Sequence, residues 1–162
     1  MGSSNLDAIT TVFDALPGLR LKPEHWEQMT AHVAMADQDS EAPEEVCGLI
    51  VGRHGLAEVV YPITNVLHSP NRYRMDPVEE LSVLQTIDQK AWDLLAIYHS
   101  HPNGPPSPSE TDVTEITFPD AIYLIWAPQA GEWQCRGYTI QNGRIQEVPI
   151  HVVKSKDMQK SP

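Results

Sequence analysis

The hydrophobic positions near the start of the chain recur with helical spacing. From Pro23 to Asp37, apolar side chains follow one another at intervals of three and four residues, namely Trp26, Met29, Val33 and Ala36. This spacing places them on one face of a helix that can pack against a core. The pattern therefore predicts a first helix over Pro23–Asp37.

The pattern then changes to short apolar runs that are typical of strands. Cys47–Gly52 and Val59–Ile63 are rich in β-branched residues and are bounded by Gly or Pro. The segment Arg53–His54–Gly55 between them has the composition of a turn. Together these features predict a β-hairpin.

A second helix is indicated by its N-terminal signal, Asp76–Pro77–Val78–Glu79. Asp at the N-cap accepts hydrogen bonds from free amides, Pro at the first helical position loses none, and Glu three residues later completes a capping box. An apolar stripe continues this helix to about Trp92 and consists of Val78, Leu81, Leu84 and Ala91.

The second half of the chain is mostly strand-like. Leu94–Tyr98 is short enough for a buried strand and leads into His99–Ser100–His101. The turn signal Asn142–Gly143 separates two later runs. The later strand-like runs are Ala121–Ala127, Trp133–Ile140 and Arg144–Val152. We expect an α/β (α+β) fold with a curved mixed β-sheet flanked by two or three helices.

The length of the chain indicates how many domains it forms, and its charge excludes some classes of partner. A chain of 162 residues suits one domain, and we expect it at residues 19–153, between a weakly ordered segment (1–18) and a polar tail (154–162). The net charge of −11 repels nucleic acid and anionic membrane surfaces. The sequence shows no membrane-spanning run or signal-peptide pattern, and its two cysteines are too few for a disulfide framework. We therefore expect a cytoplasmic protein without nucleic-acid or membrane partners.

The segment from His99 to Asp112 contains candidate metal ligands. If the strand extends through His101, the period of two places both imidazoles on one face, close enough to bind one ion. Asp112 follows a proline-rich loop, in what Ser109 and Glu110 indicate is the first turn of a helix, so its carboxylate can turn back toward the histidines. Two His and one Asp suit zinc and leave a fourth position for water, as in catalytic sites.

These residues form the pattern H-x-H-x7-S-x2-D, with Pro102 after the second His, and Glu45–Val46–Cys47–Gly48 lies upstream. With these motifs the sequence resembles the JAMM metalloproteases, also called the MPN-plus or Mov34/PAD-1 family. That family includes the deubiquitinases of the proteasome lid and signalosome and small prokaryotic peptidases. The resemblance extends from about Leu19 to Val152 in element order, and it implies the MPN/JAB fold, which is cytidine-deaminase-like.

The resemblance implies a role for each matching residue. His99, His101 and Asp112 are implied to bind one zinc ion per chain. Glu45 is implied to be the general acid/base, which takes a proton from the zinc-activated water and passes it to the leaving amine. Ser109 is implied to stabilise the oxyanion. The implied reaction is hydrolysis of a peptide or isopeptide bond.

Compact members that resemble this chain process sulfur-carrier proteins, so the favoured hypothesis is a zinc metallopeptidase acting at the extended C-terminal tail of a ubiquitin-fold or sulfur-carrier protein. We expect the tail to bind by β-augmentation along a sheet edge.

A deubiquitinase-type isopeptidase is an alternative, although no long insertion surrounds the site. A non-catalytic MPN assembly module and a hydrolase of another amide are further alternatives. Deamination is disfavoured, because the zinc-deaminase motifs are absent.

Several candidates also have a structural interpretation. A histidine pair alone is equally compatible with a solvated or structural role, and Ser109 with an N-cap. Glu44 is interpreted as a solvated neighbour of Glu45. Cys47 lies on the same side of a strand as Glu45, where a ligand or redox role is conceivable, but a buried hydrophobe is the simpler interpretation. The loop Arg72–Tyr73–Arg74 is interpreted either as a substrate contact or as an ordinary basic loop.

Overall fold

The computed structural model describes residues 18–38 and 41–154. Expectations for residues 1–17 and 155–162 lie outside the described residues. Within the described ranges, the elements in chain order are β1 Leu19–Leu21, α1 Pro23–Gln38, β2 Cys47–Arg53, β3 Leu56–Ile63, α2 Pro77–Lys90, β4 Asp93–Ser100, α3 Glu110–Thr114, β5 Ile122–Gln129, β6 Glu132–Gln141, β7 Arg144–Val148 and β8 Ile150–Val152. None of these helices is long and apolar enough to cross a membrane.

The strands form one mixed sheet in the order β7-β6-β5-β4-β2-β3-β1-β8. The central strand β4 pairs antiparallel with β2 and parallel with β5. The edge strands β7 and β8 are separated in sequence only by Pro149, so the sheet curves until its two edges come close to each other. The predicted curved mixed sheet with two or three helices is confirmed.

Each face of the sheet is covered by a different helix. α1 packs against one face through Met29 and Val33, which lie in the same buried cluster as Tyr98 and Trp126. α2 covers the other face through Val83, in a cluster with Ile97. Because both faces are covered, the central strands are nearly continuous hydrophobic runs.

The end of the sheet corrects one prediction. The run Arg144–Val152 was expected to form a single strand, but the structure divides it at Pro149 into β7, which pairs with β6, and β8, which pairs with β1. Proline lacks the N–H that a continuous strand needs for its ladder. The chain therefore passes from one edge of the sheet to the other at this residue.

The start of α2 is partly as predicted. Asp76 accepts hydrogen bonds from the amides of Val78 and Glu79, which confirms the N-cap. The capping box is wrong, because the Glu79 carboxylate accepts hydrogen bonds from the amide and hydroxyl of Thr64 instead. The predicted apolar stripe is also wrong at its start, since Val78 is 77% and Leu81 55% exposed. The helix packs along the side that carries Val83.

Candidate metal centre

The two histidines lie at the C-terminal end of the central strand. His99 is inside β4 and fully buried, and His101 is the first residue after Ser100, where the strand ends. The amide of His101 still donates to Trp126 O at 2.7 Å, so the backbone remains attached to β5. The two Nε2 atoms are 3.1 Å apart. The strand alternation thus brings both imidazoles together, as predicted from the sequence.

The third residue, Asp112, is brought to the histidines by the first turn of α3. Its Oδ1 is 3.1 Å from His99 Nε2, and its Oδ2 is 3.2 Å from His101 Nε2. Ser109 caps the helix: its amide donates to Asp112 Oδ2 at 2.8 Å, and its Oγ accepts from the amide of Asp112 at 3.1 Å. This reciprocal pair fixes the carboxylate with both oxygens toward the histidines.

The donor atoms fit a tetrahedral cation. Zinc holds nitrogen and oxygen ligands at about 2.0–2.1 Å, so neighbouring ligands of a tetrahedral ion lie about 3.3 Å apart. The two Nε2 atoms are 3.1 Å apart, and each lies 3.1–3.2 Å from one Asp112 oxygen, Oδ1 for His99 and Oδ2 for His101. Elsewhere in residues 18–38 and 41–154, no group of three His, Cys, Asp or Glu side chains converges in this way. A possible metal site is therefore present where the sequence predicted one.

The two histidines are oriented by different contacts. His101 Nδ1 lies 2.8 Å from Pro105 O, which makes Nδ1 the donor and leaves Nε2 to face Asp112. His99 Nδ1 is buried, and no atom of the described residues forms a hydrogen bond with it. The ring of Tyr73 instead stacks on the His99 imidazole, with centroids 4.7 Å apart and planes inclined by 29°. Tyr73 thus orients His99 by packing.

Burial and ion pairing shift the pKa values of these groups in different directions. Burial lowers the pKa of His99, although the neighbouring Asp112 opposes it. Burial also disfavours protonated His101, but Asp112 and the Pro105 carbonyl outweigh this, so its pKa is raised. Asp112 is partly desolvated, yet its hydrogen bonds with His101 and His99 hold the carboxyl pKa well below its usual range. Asp112 is thereby kept ionised, as a metal-binding carboxylate must be.

Glu45 reaches the same site from the segment that precedes β2. Its side chain is 3% exposed, and Oε1 is 3.9 Å from His101 Nε2. Oε2 is buried, with no hydrogen-bond partner among the residues that the structure describes. Burial raises the pKa of Glu45 to about 8; His101 lowers it, and the charge of Asp112 raises it further. A buried carboxyl group with a free oxygen is thus available for proton transfer.

Backbone contacts fix the segment that carries Glu45. Its amide donates to Ser69 O at 2.8 Å, and its carbonyl accepts from Asn65 Nδ2 at 3.0 Å. The next residue, Val46, donates to Ser100 Oγ at 2.9 Å and accepts from the Ser100 amide at 3.0 Å. The segment is therefore attached both to the loop after β3 and to the end of β4.

The remaining candidates occupy structural positions next to this group. Ser109 Oγ uses an acceptor lone pair in the helix cap, so its O–H remains able to donate to a substrate. Glu44 is half-buried, and its Oε2 lies 3.0 Å from His68 Nδ1. Cys47 is buried and its thiol donates to Ile63 O, and burial raises the pKa of that thiol to about 12. These properties fit a buried hydrophobe better than a thiolate ligand.

Gly48 is required by close packing beneath the site. A Cβ at this position would lie 2.2 Å from the ring of Tyr98. The Tyr98 hydroxyl is 2.7 Å from His32 Nδ1 and so connects α1 to the centre of the sheet. The glycine of the Glu45–Gly48 motif therefore makes room for a ring that connects two layers of the fold.

Asn65 was not identified from the sequence, and Tyr73 was identified only as part of a basic loop. An Asn directly after a strand is a common turn signal, which does not indicate a contact with Glu45. The ring contact of Tyr73 arises because residues 65–75 fold back over β4. Neither contact follows from spacing along the chain.

A cavity of about 360 Å³ adjoins the metal centre on the side of Asp112. Its walls come from the loop after β3, from α3 and from the segment after α3, and it has an apolar floor. Arg72 and Arg74 are at its rim, and Arg72 forms an ion pair with Glu115 across it. The remaining lining includes Leu67, Tyr73, Met75, Ile97, Phe118 and Tyr123.

Comparisons with known proteins identify the family of this chain. Residues 25–137 match the model of the prokaryotic homologs of the JAB domain, Prok-JAB. The CysO-cysteine peptidase of Mycobacterium tuberculosis is 36% identical over 129 residues, which cover 78% of this chain and 87% of that protein. The desampylase of Haloferax volcanii is 37% identical over 100 residues, which cover 57% of this chain and 72% of that protein.

Solved structures support the same assignment. A protein of Desulfitobacterium hafniense, determined in solution, has a TM-score of 0.73 and 30% identity, with coverage of 85% of this chain and 94% of that one. The crystal structure of a JAB1/MPN domain protein from Archaeoglobus fulgidus has a TM-score of 0.52 and 16% identity, with coverage of 84% and 98%, and shows the shared fold. On the matched family and the extent of these similarities, the chain belongs to the Prok-JAB family of JAB-domain proteins.

Proposed function

We propose that this protein is a zinc metallopeptidase that hydrolyses a peptide or isopeptide bond at the C-terminal tail of a ubiquitin-like or sulfur-carrier protein. The observation that carries the proposal is the convergence of His99, His101 and Asp112 beside the free carboxylate oxygen of Glu45. The relatives named as CysO-cysteine peptidase and desampylase support it. A non-catalytic assembly module would have no need of a complete ligand set with a buried base beside it.

The metal-binding groups in this proposal are His99 Nε2, His101 Nε2 and the Asp112 carboxylate. Bound zinc supplies a Lewis acid, which polarises the substrate carbonyl and makes a water molecule acidic enough to ionise near neutral pH. The contacts of Ser109, Pro105 and Tyr73 keep these side chains in place, so little reorganisation is needed on binding.

Glu45 moves the proton in this proposal. Its Oε2 takes a proton from the attacking water and later gives that proton to the nitrogen of the leaving amine, which completes the hydrolysis. Burial raises the pKa of Glu45 above that of an ordinary carboxyl group, and a group that must gain and lose a proton works best when its pKa is close to the working pH. The burial that raises the pKa also excludes bulk water as a competing proton acceptor.

Ser109 stabilises the charge that develops on the substrate oxygen. The hydroxyl is anchored by the helix cap, and its proton is free to donate toward the centre. Donors that are already in place at the start of the reaction are the effective ones, because the protein does not have to reorganise around the new charge.

The substrate tail requires a binding surface beside the histidines. β4 is flanked on both sides by β2 and β5, so the sheet has no free strand edge at this point. The β-augmentation expected from the sequence therefore has no strand edge to use beside the histidines, and we place the tail in the cavity of about 360 Å³ beside Asp112 instead. Its lining of apolar side chains and of charged ones, with Arg72, Arg74, Glu80 and Glu115 among them, offers contacts for side chains of an extended peptide.

The test combines metal analysis with mass spectrometry of two substrates. One is a sulfur-carrier protein with a single extra C-terminal residue, and the other is a lysine-linked conjugate of a ubiquitin-fold protein. We expect about one zinc per chain and loss of the extra residue, abolished by a chelator and restored by zinc. Cleavage of the conjugate alone would favour the isopeptidase. Bound zinc without cleavage of either substrate would contradict the proposal.

A further inference from the structure

The loop at residues 64–75, between β3 and α2, contacts two different parts of the metal centre. One contact is with the backbone of Glu45, through Ser69 O and Asn65 Nδ2. The other is the stacking of Tyr73 on His99. A single loop thus supports both the proposed general base and one of the proposed ligands.

The side-chain amide of Asn65 holds this loop together. Its Oδ1 accepts from the amides of Leu67 at 3.1 Å and Arg74 at 3.0 Å. Its Nδ2 donates to Glu45 O at 3.0 Å and to Arg72 O at 3.2 Å. Asn65 is 7% exposed, so the full hydrogen-bonding capacity of a carboxamide is used away from solvent.

The hydrogen-bond partners of Asn65 lie next to Tyr73 in the loop and at Glu45 in the metal centre. Arg72 O and Arg74 N flank Tyr73 on both sides, so the amide fixes the backbone from which the stacked ring projects. The same nitrogen that binds Arg72 O also binds Glu45 O. Asn65 therefore connects the base and the stacked ring through one planar group, whereas a loop held only for stability would not need to reach Glu45.

We propose that Asn65 is a positioning residue that fixes Glu45 and Tyr73 relative to each other at the metal centre. The expected effect on activity rests on the proposed function. The expected effect on the loop structure rests on the hydrogen bonds alone. Few residue types can replace Asn65: Asp retains the acceptor but lacks the two donors, and Ala leaves two carbonyls and two amides without partners.

The test compares Asn65→Asp with Asn71→Asp. Both changes add one negative charge to the same loop, but Asn71 is exposed and its side chain hydrogen-bonds with Ser69 rather than with Glu45. With zinc-loaded protein and a cleaved substrate, we expect Asn65→Asp to lower kcat by about 100-fold, the cost of a displacement of about 1 Å. The fall in kcat at saturating substrate is the decisive readout, because the same loop lines the cavity proposed for the tail and KM is expected to change with it. Asn71→Asp should match the wild type.

A structural role alone predicts a different result. If Asn65→Asp retains wild-type kcat, or loses activity only in proportion to lost zinc or lost folded protein, the proposal is wrong. Circular dichroism and zinc content, measured on the same samples, separate these cases. Equal loss of kcat in the Asn71→Asp variant would also contradict it, because the added charge would then be the cause.

Amide hydrogen exchange of the wild-type protein tests the inference without any variant or substrate. The amides of Leu67 and Arg74 donate to Asn65 Oδ1, and the amide of Glu45 donates to Ser69 O in the same loop. Because Asn65 holds this loop together and also binds the Glu45 carbonyl, we expect all three amides to be protected and to open with the same free energy. Independent exchange of Glu45 would overturn the proposal even if the enzyme is active. Joint exchange in a protein that cleaves neither substrate would instead reject the proposed function and retain the role of Asn65.

Discussion

The metal centre has two halves that are held in place in different ways. His99 lies in the central strand, which the ladders with β2 and β5 fix, and His101 follows directly after it, with its amide bonded to Trp126 O of β5. Glu45, Ser109 and Asp112 lie on irregular segments and a short helix, where individual hydrogen bonds fix them. The strand half is therefore secured by many contacts, and the loop half by a few specific ones.

This difference shows where the site is sensitive to mutation. Displacing a histidine requires rearrangement of a buried sheet, whereas displacing a carboxylate requires only the loss of one or two polar contacts. We expect substitutions in the loop half to reduce function with little loss of stability. The following predictions test that expectation, from the largest effect to the smallest.

Removing the ligand of the loop half should have the largest effect. Asp112→Asn keeps the size of the side chain but removes the charge between the two imidazoles. We expect zinc affinity to fall by more than about 100-fold, since changes to groups that only support a ligand already cost 10–100-fold. Elemental analysis after dialysis measures this. Glu110→Gln, an exposed change in the same turn of α3, is the matched control. Wild-type zinc content in Asp112→Asn would remove Asp112 from the ligand set.

Removing the base should separate metal binding from turnover. Glu45→Gln retains the shape of the side chain but cannot accept a proton, so we expect kcat to fall by about 10²–10⁴-fold with zinc still bound. Glu44→Gln, at the neighbouring half-buried position, should leave kcat unchanged. Loss of zinc in Glu45→Gln would instead assign Glu45 to the metal shell or to the structure.

Ser109 combines an observed helix cap with the proposed contact to the oxyanion. Ser109→Ala should lower kcat by about 10²–10³-fold, the usual cost of one oxyanion donor. It should also reduce the free energy of unfolding by about 1 kcal/mol through the lost helix cap. Ser109→Thr, which retains a hydroxyl, should recover most of both. Thermal melts and steady-state kinetics measure the two effects, and a loss of stability with unchanged kcat would leave only the cap.

The ring contact between the halves should give the smallest effect. Tyr73→Leu removes the surface that stacks on His99, and we expect zinc affinity to fall by about tenfold. Tyr73→Phe retains the ring and should bind zinc as the wild type does. Competition with a chromogenic chelator measures both affinities. Equal affinities for Leu and Phe would show that the sheet alone orients His99.

The sequence predicts the strand half better than the loop half, for a physical reason. Period-two alternation is a local property, so the pairing of His99 with His101 follows once β4 is recognised. The fold-back of Asp112 was predicted from the helix start at Ser109, because a cap is also local. The contact of Asn65 with Glu45 spans 20 residues and depends on how a loop returns to the sheet, so no pattern within either segment indicates it.

The wrong predictions about the fold have the same origin. Glu79 was expected to bond back to its own helix end, but Thr64 from the preceding loop competes for the carboxylate. Val78 and Leu81 are exposed because α2 packs along the side that carries Val83, and the helical period alone does not determine which side faces the sheet. Pro149 was visible in the sequence, and its effect on the last strand was the one error that local rules could have prevented.

The closure of the sheet has a consequence for how the protein is made. β1 pairs with β8, so Leu19–Leu21 contacts Ile150–Val152 across more than 100 residues of sequence. On a ribosome that adds about 5–20 residues per second, β1 emerges several seconds before its partner. The strands that carry the histidines are then complete while the sheet is still open. We therefore expect folding to finish only after synthesis reaches the last strand, with closure of the two edges as its slow, long-range step.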